Sequence, residues 1–253
     1  MTDIIMRLQK HYDAAVAKYG EDAVFGVFLY GSWNYGTNLP DSDVDTKCIL
    51  VPDLYHLAIS PYEVKHLHVD DEVCECMTIM HMVENWKKQN INFLEIMFTP
   101  YFIINEQYEK FWERHRENEY EYRMSYGWAE QIARYDIKKA ILSMANQAIH
   151  TITQDPSDLK KVMNAAHIAN TLSALVTTPK TSYWSMIQAN PTVAKIRTGE
   201  TKVPSGMVED LIIFFQEMIG RAREYEHLSS DKQKVDEYLN NFILSLIRHR
   251  IKI

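Results

Sequence analysis

The chain has 253 residues, enough for one large or two small domains with a buried core. Its 46% hydrophobic and 24% charged residues are ordinary for a soluble globular protein, and no apolar run approaches the roughly 20 residues that a membrane-spanning helix requires. The net charge of −7 argues against an extended grip on nucleic-acid backbone, which usually needs a basic surface.

The first residues, MTDIIMRLQKHYDAAVAKYG, lack the basic flank and apolar block of a secretory signal. Ile4, Ile5, Leu8, Tyr12, Ala15 and Val16 instead predict an amphipathic helix over 3–18, with Thr2 as N-cap and Gly20 as its stop. Val24–Tyr30 is an apolar run that predicts a buried strand, and it ends at Gly31-Ser32. After a polar loop, Asp43-Val44-Asp45 opens a second apolar strand that continues through Cys48-Ile49-Leu50-Val51. Residues two apart on a strand share a face, so Asp43 and Asp45 are predicted to point to one place. Two adjacent carboxylates repel unless a hard divalent cation shares them. Gly31 lets backbone approach a phosphate closely, and the Ser32 hydroxyl can donate to a phosphate oxygen. Together these residues suit a metal–nucleoside triphosphate. The competing explanation is a plain acidic turn with Asp41, Ser42 and Asp43 as turn formers.

The pattern of a Gly-Ser turn followed by Asp-x-Asp on the next strand resembles the polymerase-β-like nucleotidyltransferase superfamily. Tyr35-Gly36 after the turn, and Ser42 directly before Asp43, resemble its RNA-repair-associated branch, often encoded by phages. That resemblance implies an α+β fold, NTP as substrate, and Gly31, Ser32, Tyr35 and Ser42 as nucleotide-binding residues. It also implies a third carboxylate on a later strand, within an apolar–acid–apolar triplet. Glu75 in Val73-Cys74-Glu75-Cys76-Met77 fits that slot, although aspartate is commoner there, and Asp70, Asp71 and Glu72 are its nearby rivals.

Further along, Leu54–Ser60 predicts a short helix, and 64–69 and 72–79 predict strands. Cys74 and Cys76 with His81 invite a zinc site, but no second ligand pair exists, so the cysteines are expected in the core. Three cysteines in or beside strands also suggest a reducing cytoplasm. His81–Gln89 predicts a helix, and 92–98 resembles a family segment that packs under the catalytic strands. An edge strand over 101–104 and a helix over 106–116 follow.

From RENEYEYRMSY onward the signal is helical, with amphipathic stretches at 135–151, 159–176, 207–225 and 231–249 that predict a small bundle. Met163, His167, Asn170 and Thr171 share a helix face opposite the expected core stripe of Leu159, Val162, Ala166, Ala169 and Leu172. The family's Lys, His and Arg on this helix are met here only by His167, with Met163 and Asn170 in the other two places. Ile196–Glu200 also resembles a family segment. Lys87-Lys88, Lys138-Lys139, Lys160-Lys161 and Arg221/Arg223 are expected to be solvated helix faces.

The expectation is an α+β catalytic domain over 1–117 and a helical domain over 118–253 that closes one wall of the cleft. Its reaction would move an NMP from an NTP to an acceptor hydroxyl and release pyrophosphate (EC 2.7.7 type). Asp43, Asp45 and Glu75 would hold two Mg²⁺ ions, with Mn²⁺ as a substitute, and His167 would join the nucleotide site. An RNA 3′ end is the first acceptor expected, ahead of a protein side chain or a small molecule. A catalytically inactive nucleotide-binding module is the rival of a different class.

Overall fold

The structure, a computed structural model, describes residues 2–39, 42–116, 127–177 and 191–252. The expected boundary at 117/118 and most of the charged, aromatic stretch around it lie outside the described residues. The protein is α+β, a five-stranded sheet with flanking helices followed by further helices.

Helix α1 (Thr2–Tyr19) leads into strand β1 (Val24–Leu29), which is buried along its whole length. A single helical turn, α2 (Ser32–Tyr35), precedes β2 (Thr46–Leu50). Helix α3 (Leu54–Ile59) connects to the hairpin of β3 (Val64–Val69) and β4 (Glu72–Thr78). Helices α4 (Ile79–Lys87) and α5 (Ile91–Phe98), strand β5 (Phe102–Ile104) and helix α6 (Glu109–Arg116) complete this half. The sheet order is β3-β4-β2-β1-β5, with β2 and β4 parallel and every other pairing antiparallel.

Two cores lie on the two faces of the sheet. The smaller packs α1 through Leu8 and Ala15 onto Val27, Leu29, Cys48, Cys74 and Cys76. All three cysteines are free and buried there. On the other face, a β-bulge between Val24 and Gly26 lets Phe25 and Phe28 join one core, although they are three residues apart. Gly26 also admits β5, because a Cβ there would come within 2.7 Å of the Ile103 carbonyl oxygen.

The later helices are α7 (Trp128–Ala133), α8 (Ile137–Gln154), α9 (Leu159–Thr177), α10 (Pro191–Arg197), α11 (Met207–Arg221) and α12 (Lys232–Ile251). Their apolar stripes continue the core that begins at Phe25 and Phe28. Phe242 of α12 meets Phe25 edge-on at 6.2 Å, and Arg250 donates to the Val51 carbonyl.

Helix α9 departs from its predicted pattern. Met163, His167 and Thr171 are buried like Val162 and Leu172 on the expected core stripe. The helix packs on α8, α10 and α11, while His167 also meets Tyr35 of the sheet half. The expected stripe is buried at Val162, Ala166 and Leu172, and packing on a second side buries the polar-looking face as well.

Candidate active site

Gly31 links β1 to α2 with a φ of +81°, a region that disfavours side chains. A Cβ at this position would lie 2.9 Å from Asp45 Oδ2. The glycine is therefore required by the Asp45 carboxylate packed against it, whether or not a phosphate also approaches. Gly31 N–H donates to Glu95 Oε2 at 3.1 Å, and Tyr30 N–H donates to the Asp45 carbonyl at 3.0 Å. Buried Asn34 ties α2 down by donating to the Leu29 carbonyl and accepting from the Thr99 hydroxyl.

Asp43 and Asp45 fall in the extended lead-in just before β2 rather than within its ladder. Both nevertheless face one cleft of about 640 Å³, together with Gly31, Ser32, Tyr35 and Ser42. The Trp33 indole N–H donates to the Asp43 carbonyl at 2.9 Å. Ser42 Oγ accepts the Leu39 N–H at 2.8 Å and closes the loop ahead of the aspartates. Desolvation raises the Asp45 pKa; Lys160 opposes the rise and Asp43 adds to it.

The opposite wall comes from the later helices. Lys160, Lys161, Met163, Asn164 and His167 of α9 line the cleft, as do Thr151 of α8 and Arg197 of α10. Asp158 caps α9 by accepting the Lys160 and Lys161 backbone N–H groups, which fixes where the first turn begins. His167 stacks on Tyr35 with ring centroids 4.0 Å apart. Its ring is 3% exposed, neither nitrogen has a hydrogen-bond partner among the described residues, and burial lowers its pKa to about 4. A neutral imidazole of this kind offers one donor and one acceptor.

Glu75 is placed differently. The parallel register sets Lys47 opposite Glu75, so that continuing it backwards puts Asp45 level with Val73. Glu75 shares the aspartates' side of the sheet but is not among the residues that line the cleft. Its carboxylate pairs with the Lys47 ammonium, whose side chain is 3% exposed and lies 3.8 Å from the Tyr30 ring centroid. Desolvation lowers the Lys47 pKa against the opposing pull of Glu75. Glu72 and Asp70 turn toward α1, where they meet Arg7 and Lys10.

Among the described residues no group of three or more His, Cys, Asp or Glu side chains is arranged to hold a metal. The pair at 43 and 45 still suits a hard cation. Mg²⁺ is commonly held by one or two carboxylates together with substrate phosphates.

Sequence reasoning missed several of these residues. Lys160 and Lys161 read in the sequence as a solvated helix face, and Arg197 stands in the Ile196–Glu200 segment without a role, because only the fold decides which helix faces the cleft. Glu95 had a signal, since a glutamate inside the apolar segment NFLEIMF needs a partner if buried. It is fully buried, and burial pushes its pKa up to about 8.

Residues 8–117 match the family model of the nucleotidyltransferase domain. That match supports nucleotidyl transfer as the general activity of this part of the chain. Its span holds α1 from Leu8 onward, the whole sheet, both aspartates and Glu95, whereas the wall bearing Lys160, His167 and Arg197 lies beyond it. A comparison with curated proteins finds no match. No helix among the described residues is long and apolar enough to cross a membrane.

Proposed function

We propose that this protein transfers a nucleoside monophosphate from an NTP to an acceptor hydroxyl and releases pyrophosphate. The observation that carries this reading is the meeting of Asp43, Asp45, Gly31 and Ser32 in one cleft, with Lys160, Lys161 and Arg197 facing them. Asp43 and Asp45 would hold Mg²⁺, or Mn²⁺ in its place, and the ion would supply charge neutralisation on the triphosphate. Ser32 donates to a phosphate oxygen, and the lysines take up phosphate charge that two carboxylates alone would repel. Tyr35 and the neutral His167 stacked on it form the floor for the nucleoside. Glu75, on the same side of the sheet, balances Lys47 beneath the aspartates and reaches the Tyr30 hydroxyl at 3.3 Å. Positioning and charge stabilisation supply the catalysis.

The test is incubation with each labelled NTP and Mg²⁺, with RNA, protein extract or small-molecule hydroxyls offered separately. Label is expected in one fraction, and the RNA 3′ end is the first acceptor to try because of the motif resemblance. A protein that gains thermal stability from NTP and Mg²⁺, yet labels no fraction, would be a nucleotide-binding module instead. One indifferent to every NTP would overturn the nucleotide reading itself.

A further inference from the structure

The two aspartates project from a short segment that is gripped from the α1 side of the sheet. Val44, between them, donates its backbone N–H to Glu72 Oε1 at 2.9 Å. Continuing the parallel register from Thr46 opposite Cys74 puts Val44 level with Glu72, which is why the two meet. Arg7 closes a two-pronged pair on the same carboxylate, with its Nε 3.2 Å from Glu72 Oε2. His11, one helical turn along α1 and 1% exposed, lies 3.3 Å from Glu72 Oε2 and 2.7 Å from the Thr46 hydroxyl. The Arg7 guanidinium also sits over Trp33, whose indole N–H holds the Asp43 carbonyl. Residues 43, 44 and 46 are thus each anchored around Asp45, and two side chains of α1, Arg7 and His11, converge at Glu72.

We propose that Glu72 is a positioning residue: it fixes the backbone between Asp43 and Asp45, and Arg7 and His11 fix Glu72. The carboxylate lies on the face opposite the cleft, so it acts through the segment and touches neither ion nor substrate. This inference rests on the proposed role of the two aspartates in holding a divalent cation. Outer partners that orient metal ligands typically change metal affinity by about 10- to 100-fold when removed. A loose lead-in would let both carboxylates swing apart under their mutual repulsion.

The test compares Glu72→Ala with Glu72→Gln, which keeps an oxygen for the Val44 N–H. In the metal-free protein, amide exchange at Val44 should accelerate in Glu72→Ala and stay slow in Glu72→Gln. Mn²⁺ binding without nucleotide should weaken by about 10-fold or more in Glu72→Ala and far less in Glu72→Gln. Should Glu72→Ala fail to fold, Arg7→Met carries the test, with a smaller shift of both readouts in the same direction expected. Unchanged Val44 exchange and Mn²⁺ affinity in a folded Glu72→Ala or Arg7→Met would overturn the proposal. So would a Glu72→Gln protein as impaired as Glu72→Ala. A wild-type protein that neither binds Mn²⁺ nor transfers a nucleotide would overturn the catalytic reading as well, so the two failures are distinguishable.

Discussion

Removing the charge from Asp43 or Asp45 with asparagine should abolish transfer while leaving the fold intact. The metal-free melting temperature should hold or rise slightly, because burial and Asp43 both disfavour the charged form of Asp45. Normal turnover in either variant would remove both residues from the mechanism. Glu95 makes a separate prediction about pH. Its folded pKa of about 8 stands above its ordinary value of 4.5, so its stabilising contribution is complete below about 4.5 and is lost as pH rises toward 8. Wild type should therefore lose stability between pH 5 and pH 8 relative to Glu95→Gln, by at most a few kcal/mol. Parallel melting curves for the two proteins would refute this. Glu75→Gln leaves the buried Lys47 ammonium without its counter-charge, so the melting temperature should fall. A Lys47→Met/Glu75→Gln double variant should recover much of that loss. If Glu75→Gln instead keeps its stability but loses activity by orders of magnitude, Glu75 acts on the chemistry directly.

At the scale of elements, the turn between β1 and α2 is the least tolerant part of the site. Any side chain at position 31 meets both an unfavourable φ and the Asp45 carboxylate. Gly31→Val should therefore abolish the thermal shift produced by NTP and Mg²⁺, which in wild type grows by roughly 1.4 kcal/mol per tenfold excess over Kd. A full shift in the variant would place the triphosphate elsewhere. The strands and most of the helices were legible because their patterning is local: β1 is a run of apolar residues, and α1 keeps its 3.6-residue stripe. The motif at 31–45 was legible too, since its spacing and flanking strands stand in the sequence itself. Helix α9 and its stripe were legible as well, but the burial of its second face, with Met163, His167 and Thr171, was not, because that depends on what packs there. The anchoring of Val44 by Glu72 was equally hidden. It depends on a parallel register and on side chains that come from α1, 61 to 65 residues away from Glu72.

For the whole molecule, the cleft exists only where the sheet half meets the later helices. Lys160→Ala and Arg197→Ala should mainly raise KM for the NTP, leaving the Asp43–Asp45 pair in place; a change confined to kcat would argue against a phosphate-binding role. The larger core runs from Phe25 and Phe28 to Phe242 and Leu246. Residues 1–117 expressed alone should therefore be poorly packed and bind hydrophobic dyes, even though they span the family match. Sharp cooperative melting of that fragment would show that it folds independently. Phe242→Ala should destabilise the full chain by about 3–5 kcal/mol.

The closure of α12 over the sheet also bears on how the protein is made. Arg250 bonds to Val51, 199 residues earlier in the chain. On a ribosome, Phe102, Tyr108 and Trp112 can cover part of the aromatic face of β1 early, whereas the Phe242 contact to Phe25 must wait for α12. A nascent chain stalled before residue 232 would then present the Phe242 side of Phe25 to chaperones. The cleft's lining ends at Arg197, so its residues are all made before α12 arrives to pack against the sheet from behind.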